Sequence, residues 1–224
     1  MTTTDRSGLR RVSIEAPTLI LVEGVDDLHF LKEFLAFCGI PDIQIEEVGG
    51  KDRFSKFLQL LLPEAPNLSQ LRSLAVARDA DLDVTAAQTS VTGMLRAFTR
   101  RLENGARETT SICTSQFLFP DNQYMGTLET LLWSTVPDGQ QSCIKEFLAC
   151  TEDDWGRYPL AECWVDKARV YAYLAGSPLK VEGDGSRGST RARPGLLTGV
   201  SVRAGIWDLN HDAFNPLRAF AQGL

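Results

Sequence analysis

The chain has 224 residues, of which 43% are hydrophobic and 23% charged, a balance that excludes global disorder and fits one large domain or one domain with an appendage. With 18 Gly and 10 Pro it sits at the ordinary background, so collagen-like and low-complexity architectures are excluded too. The 23 Lys and Arg against 29 Asp and Glu leave a net charge of −6, so any nucleic-acid contact must come from a local basic patch or from metal ions held by carboxylates.

Residues 1–17 are polar and read as a loose lead-in ending at Pro17. Thr18–Val22 is a short continuous apolar run, the pattern of a strand buried on both faces, and it stops at Glu23-Gly24. From Asp26 to Cys38, Leu28, Leu31 and Leu35 recur at helical spacing, and Gly39 and Pro41 close that helix. Ile43–Val48 is a second strand, followed by Gly49-Gly50 and a helix from about Lys51 that carries Phe54, Phe57, Leu58, Leu61 and Leu62. Leu71–Ala77 is a third strand, running into Arg78-Asp79-Ala80-Asp81-Leu82-Asp83. A long amphipathic helix is predicted over 84–103, a fourth strand over 115–119, and a turn at Pro120-Asp121-Asn122. Beyond residue 125 the pattern turns helical, over about 127–135, 140–149 and 160–175, with a last helix over 210–221 interrupted at Pro216. Residues 176–205, rich in Gly, Ser and Arg, read as a basic loop.

Strands alternating with helices predict βαβ units: an α/β fold with a four-stranded, mainly parallel sheet and helices on both faces. The expected division is a lead-in over 1–17, a sheet domain over 18–135 and a helical C-terminal extension over 136–224. The five cysteines (Cys38, Cys113, Cys143, Cys150, Cys163) form no CxxC pair and only two histidines accompany them, so no zinc-ligand spacing arises and free thiols are expected. No apolar leader and no long apolar run occurs, which sets the expectation of a cytoplasmic protein without a membrane span.

In an open parallel sheet, ligands gather at the carboxyl ends of the strands. Acids fall there three times: Glu23 with Asp26 and Asp27, then Asp79, Asp81 and Asp83, then Glu129 beside Thr127. Two carboxylates at 4 Å repel by about 4 kcal/mol at an effective dielectric of 20, so such crowding calls for an offsetting charge. Hard divalent cations supply it, and two Mg²⁺ or Mn²⁺ nearly balance the five charges of Glu23, Asp27, Asp79, Asp81 and Glu129. That is the charge pattern of a two-metal phosphoryl-transfer site. Acids in a first helical turn are also ordinary caps, and Asp26 or Asp83 fits that bland reading equally well.

At these residues the chain resembles the Toprim domain shared by topoisomerases, primases and OLD-family nucleases. The resemblance spans about residues 18–135 and rests on Leu19-Ile-Leu-Val-Glu23-Gly24 and on the Asp79-x-Asp81 pair after the third strand. The OLD-type nucleases are the nearer likeness, through Asp27 four residues after Glu23, the hydroxyl-x-Glu motif Thr127-Leu128-Glu129, and a lysine on a later helix, matched by Lys167. The resemblance implies that Glu23, Asp79 and Asp81 hold one metal, that Asp27 and Glu129 help hold a second, and that Lys167 stabilises charge on the phosphate. Gly24, Lys51, Asp83 and Thr127 take supporting or phosphate-binding places. OLD-family chains carry an ATPase domain for which 224 residues leave no room, so the resemblance implies a stand-alone Toprim protein, with a homodimer or an ATPase in trans as partner.

Other signals are weaker. Gly49-Gly50-Lys51 is not a Walker loop; a tight strand–helix turn is favoured over a phosphate cradle. Gly183-x-Gly185-x-x-Gly188 lacks the βαβ setting a dinucleotide site needs. Lys180, Arg187, Arg191, Arg193 and Arg203 against Glu182 and Asp184 make a basic stretch that could track a nucleic-acid backbone or be a solvated loop. His29 and His211 read as surface residues, and Trp133, Trp155, Trp164 and Trp207 as mostly core or subunit contacts.

The expectation is therefore a divalent-metal nuclease acting on nucleic acid, DNA ahead of RNA. The competing expectation is a metal- or phosphate-binding regulatory module without hydrolysis, a phosphoacceptor at Asp79 being one form.

Overall fold

The continuous apolar run at residues 18–22 becomes β1 (Thr18–Val22), with all five residues buried. Such a strand belongs inside a sheet, and in the computed structural model β1 is flanked on both sides. The sheet order is β2-β1-β3-β4, with β2 at Ile43–Glu47, β3 at Ser73–Asp79 and β4 at Cys113–Phe119, and every pairing is parallel. The structure describes residues 12–64, 67–104, 112–155, 162–177 and 198–224.

The chain leaves β1 toward β2 through α1 (Val25–Phe37), then reverses to β3 through α2 (Phe54–Glu64) and on to β4 through α3 (Val84–Asn104). A reversal of winding puts the crossover helices on opposite faces when all crossovers are right-handed. Accordingly Ile20 and Val22 of β1 pack with Phe30, Phe34 and Leu35 of α1, while Leu19 and Leu21 pack with Phe54 and Leu58 of α2 and Val91, Leu95 and Phe98 of α3. The expected α/β fold with helices on both faces is the one found. The reversal places the topological switch point between β1 and β3, where open α/β sheets gather ligands.

The C-terminal segment completes the first of these two cores. α4 (Leu128–Trp133), α5 (Asp138–Trp155) and α6 (Glu162–Gly176) lead to α7 (Thr198–Arg203) and α8 (Asn215–Gln222). Phe214, fully buried, has its ring centroid 5.6 Å from that of Phe34 and 6.2 Å from that of Phe30, and burial of such a ring contributes about 2–3 kcal/mol. Phe220 of α8 stands 5.3 Å from Phe117 of β4. Trp133 and Trp207 are buried as expected, with Trp207 Nε1 donating to Ser201 Oγ at 2.7 Å; the side chains of Trp155 and Trp164 lie outside the described residues.

Three expectations are corrected. Residues 198–203, assigned to the basic loop, form α7, which packs along α1 so closely that a Cβ on Gly199 would stand 2.3 Å from His29 Cβ. His29 is therefore a half-buried helix contact, and Arg203 is ion-paired with Glu33 rather than presented to a nucleic-acid backbone. Pro216 does not interrupt the last helix but sits in its first turn, where a missing N–H costs nothing. Lys180, Arg187, Arg191, Arg193 and the Gly183–Gly188 motif lie outside the described residues.

Candidate acidic site at the carboxyl edge of the sheet

β1 ends at Val22, which leaves Glu23 just past the carboxyl edge of the sheet. Its carbonyl accepts hydrogen bonds from Gly49 N (3.1 Å) and Gly50 N (2.9 Å), and these two residues have φ of 79° and 123°, which glycine tolerates without strain. Gly49-Gly50 is thus a tight turn hung on Glu23, and it delivers Lys51 to the site: Lys51 Nζ lies 3.1 Å from Asp81 Oδ2. Glu23 Oε2 is buried without a hydrogen-bond partner. Gly24 caps α1 and its N–H donates to Asp27 Oδ2 at 3.0 Å, which turns Asp27 back over the strand end.

β3 runs two residues farther than the apolar pattern suggests, so Asp79 is its last residue. Arg78 is buried, donating from Nε to the Asp79 carbonyl (3.0 Å) and from Nη2 to Asp81 Oδ2 (3.2 Å). Asp81 has φ of 56°, a left-handed conformation that Asp adopts more readily than most residues. Its backbone exchanges two hydrogen bonds with Gly126 (2.9 and 2.8 Å), which ties the loop after β3 to the loop after β4. Gly126 cannot carry a side chain, because a Cβ would lie 2.7 Å from Thr130 Oγ1 at a φ of 142°. Asp83 accepts from Ala86 N at 2.9 Å and serves as the cap of α3.

The third group starts α4. Thr127 precedes the helix, and its Oγ1 donates to Glu129 Oε2 at 2.7 Å, which fixes a carboxylate that is itself only 7% exposed. Leu128 N donates to Asp79 Oδ1 at 2.9 Å, so the first turn of α4 is bonded directly to the end of β3. Lys167 of α6 completes the group with Nζ 3.8 Å from Glu129 Oε1.

The electrostatics divide these residues into two sets. Burial raises Glu23 above its ordinary value; Arg78 pulls it down, Asp81 adds to the rise and Lys51 opposes it. Burial pushes Asp27 up to about 7, against the Gly24 hydrogen bond and reinforced by Glu129, Glu23 and Asp26. Asp79 is raised well above the carboxylate range by burial, then by Asp27 and Glu129, with the Leu128 N–H and Lys167 pulling the other way. Lys167 has its charge opposed by burial, but Glu129, Asp79 and Asp27 together hold it above its usual value. Among the described residues, no three His, Cys, Asp or Glu side chains converge closely enough in this conformation to hold one metal ion.

The structure therefore brings Glu23, Asp27, Asp79, Asp81, Glu129, Lys51, Thr127 and Lys167 to one edge of the sheet and assigns Asp83 to a cap. Sequence reasoning missed two participants. Arg78 carried a signal, a cation at the end of an apolar strand. Tyr171 stands one helical turn after Lys167, within electrostatic reach of Asp26, Glu129 and Lys167, which the i, i+4 rule could have suggested.

Among the described residues no helix is long and apolar enough to cross a membrane. No curated protein matches the chain in sequence. Among solved structures, the C-terminal region of the Xanthomonas campestris pv. campestris OLD protein is similar at 16% identity and a TM-score of 0.37, over 93% of this chain and 97% of that one. The family model described as "Protein of unknown function (DUF3226)" matches residues 17–221, and the chain belongs to that family.

Proposed function

We propose that this protein is a divalent-metal-dependent nuclease of the Toprim type, hydrolysing phosphodiester bonds at the acidic edge of its sheet. The observation that carries the reading is the joint placement of Glu23, Asp27, Asp79, Asp81 and Glu129 around the β1–β3 switch point, with Asp27 and Asp79 both raised by burial among other acids. A structural cluster would be expected to neutralise its own charges; here Glu23 Oε2 has no hydrogen-bond partner, and Lys167 has three acids, Asp27, Asp79 and Glu129, to offset.

The donor set suits a hard cation, since it is all carboxylate oxygen. Mg²⁺ or Mn²⁺, up to two ions, would be held by Glu23 and Asp81 on the outer side and by Asp27 and Glu129 on the inner side, with Asp79 between them, once these side chains close from a conformation in which, among the described residues, no three converge. A bound ion would supply the charge that activates a water and steadies the leaving oxygen. The chain's own residues do the rest. Thr127 fixes Glu129, the Leu128 N–H fixes Asp79, and Lys167 is positioned to neutralise charge developing on the phosphate. Lys51 and the buried Arg78 hold Asp81, and half-exposed Lys51 offers positive charge at the edge of the site. The partners of this reading are nucleic acid, with DNA ahead of RNA, and a second copy or a separate ATPase.

The test is cleavage of plasmid and single-stranded circular DNA in Mg²⁺ or Mn²⁺, with EDTA and with Asp79→Asn and Glu129→Gln. Cleavage is expected to disappear in EDTA and to fall at least about 100-fold in each variant while circular dichroism stays native. Cleavage that survives EDTA, or that survives in both variants, would remove the metal site. Ion binding by calorimetry with no cleavage on either substrate would leave the binding-module reading in its place.

A further inference from the structure

Apolar side chains are left in water unevenly over this molecule. Among the described residues eight large apolar or aromatic side chains are exposed, and five of them sit on the segments that build the acidic site: Val25, Leu82, Tyr124, Met125 and Tyr171. Val25 follows Gly24; Leu82 follows Asp81; Tyr124 and Met125 precede Gly126, the partner of Asp81 in the double hydrogen bond; Tyr171 lies one turn beyond Lys167. Of the remaining three, Phe37 is at the far end of α1, and Leu60 and Phe147 are on α2 and α5. Apolar side chains exposed on the segments that carry these carboxylates have a cost in water that an occupant would relieve.

The loop after β4 is also braced. Asp121 Oδ1 accepts from both Gln123 N (2.9 Å) and Tyr124 N (3.0 Å), Asn122 Oδ1 accepts from Leu118 N (2.7 Å), and Asn122 N returns a bond to the Leu118 carbonyl (2.8 Å). A loop with its backbone satisfied in this way presents Tyr124, 68% exposed, on a fixed base, so little ordering entropy is lost when a flat ligand stacks on it.

We infer that this rim is a stacking platform for unpaired nucleobases, and that the substrate strand is single-stranded where it crosses the acidic site. The inference rests on the nuclease reading and narrows its substrate class. A duplex shows its phosphates and groove edges while its bases stay stacked inside, so exposed rings gain nothing from it. An unpaired strand brings both parts of a match: phosphates for Lys51 and Lys167 and a π-face for Tyr124 and Tyr171. Met125 and Leu82 supply apolar contact beside the rings.

The experiment measures fluorescence anisotropy of a short labelled single strand, and of the same sequence annealed to its complement, on the full chain with Ca²⁺, with gels confirming that the probes stay intact. The single strand is expected to bind at least about tenfold more tightly. Tyr124→Ala and Tyr171→Ala should each weaken it about tenfold, Tyr124→Phe should bind as the parent does, and Phe147→Ala should change nothing. Equal affinity for the two probes, or unchanged binding in both alanine variants, overturns the inference. So does a loss of self-association in those variants with strand binding intact, since the rim would then be a contact between copies. Failure of the nuclease reading looks different: no cleavage in the plasmid assay, with the single-strand preference and its Tyr124 dependence still present.

Discussion

The acidic site has two halves that solve the same problem differently. In the outer half, Glu23 and Asp81 face Arg78 and Lys51, and Asp81 Oδ2 takes bonds from both cations, at 3.2 and 3.1 Å. In the inner half, Asp27, Asp79 and Glu129 share Lys167, whose Nζ is 3.8 Å from Glu129 Oε1. The outer half carries its own neutralising charge near solvent. The inner half is buried and short of positive charge, so two of its carboxyls hold their protons more tightly than free ones: Asp27 is pushed up to about 7 and Asp79 well above its ordinary range. Burial raises the cost of each negative charge while Lys167 offsets only part of it. Under the proposed reading, an ion would gain most by occupying the inner half.

The difference between the two halves shows most strongly in pH dependence. An acid whose folded pKa lies above its unfolded value binds its proton more tightly in the folded state. The stability it contributes is full below the unfolded pKa, 3.8 for Asp27, and is lost as pH rises toward about 7. The metal-free protein should therefore melt several degrees lower at pH 8 than at pH 5.5, and Mg²⁺ should restore much of the difference at pH 8. Asp27→Asn, which can still accept from Gly24 N, should flatten the slope and raise stability at pH 8 by about 2 kcal/mol. Parallel melting profiles for parent and variant in EDTA across that range would show that the inner half is not under electrostatic strain.

How much of this was legible in the sequence depends on what sets each feature. Strands made of continuous apolar residues announce their own ends, so Glu23, Asp79, Asp81 and Glu129 could be placed at the sheet edge from local pattern. The division into two halves could not. It depends on Arg78 and Lys51 both turning to Asp81, and on the Leu128 N–H meeting Asp79 across 49 residues of chain. α7 was missed for a related reason. Its Gly199 and Ser201 score poorly as helix residues, and what makes them useful is tertiary: Gly199 allows close packing on His29, and Ser201 accepts the Trp207 N–H. The exposed rim was invisible as well, since Tyr124, Leu82 and Tyr171 are ordinary residues until the fold gathers them.

The two lysines sharpen the comparison with a smaller effect. Lys167→Met removes the cation facing the inner half, and metal-free stability at pH 8 should fall by about 1 kcal/mol, discounted for the partial exposure of Lys167. Lys51→Met should stay within about 0.5 kcal/mol, because its ammonium is half in water and Arg78 remains on Asp81. Denaturant melts of both variants in EDTA check the order. If Lys51→Met proves the more damaging, the outer half is the strained one and the assignment of the ion to the inner half falls with it.

The smallest expected effect tests where the site stops. Asp81 and Asp83 are the same residue type two positions apart on one loop, but the left-handed turn at Asp81 directs its carboxylate to Arg78 and Lys51, while Asp83 bonds Ala86 N at the start of α3. Asp83→Ala should lose a cap, about 0.5–1 kcal/mol in a denaturant melt, and should leave ion binding by calorimetry and the rate of strand cleavage as they are. A several-fold drop in ion affinity in this variant would mean that Asp83 leaves its cap when the site fills, and that the boundary drawn between cap and site at this loop is in the wrong place.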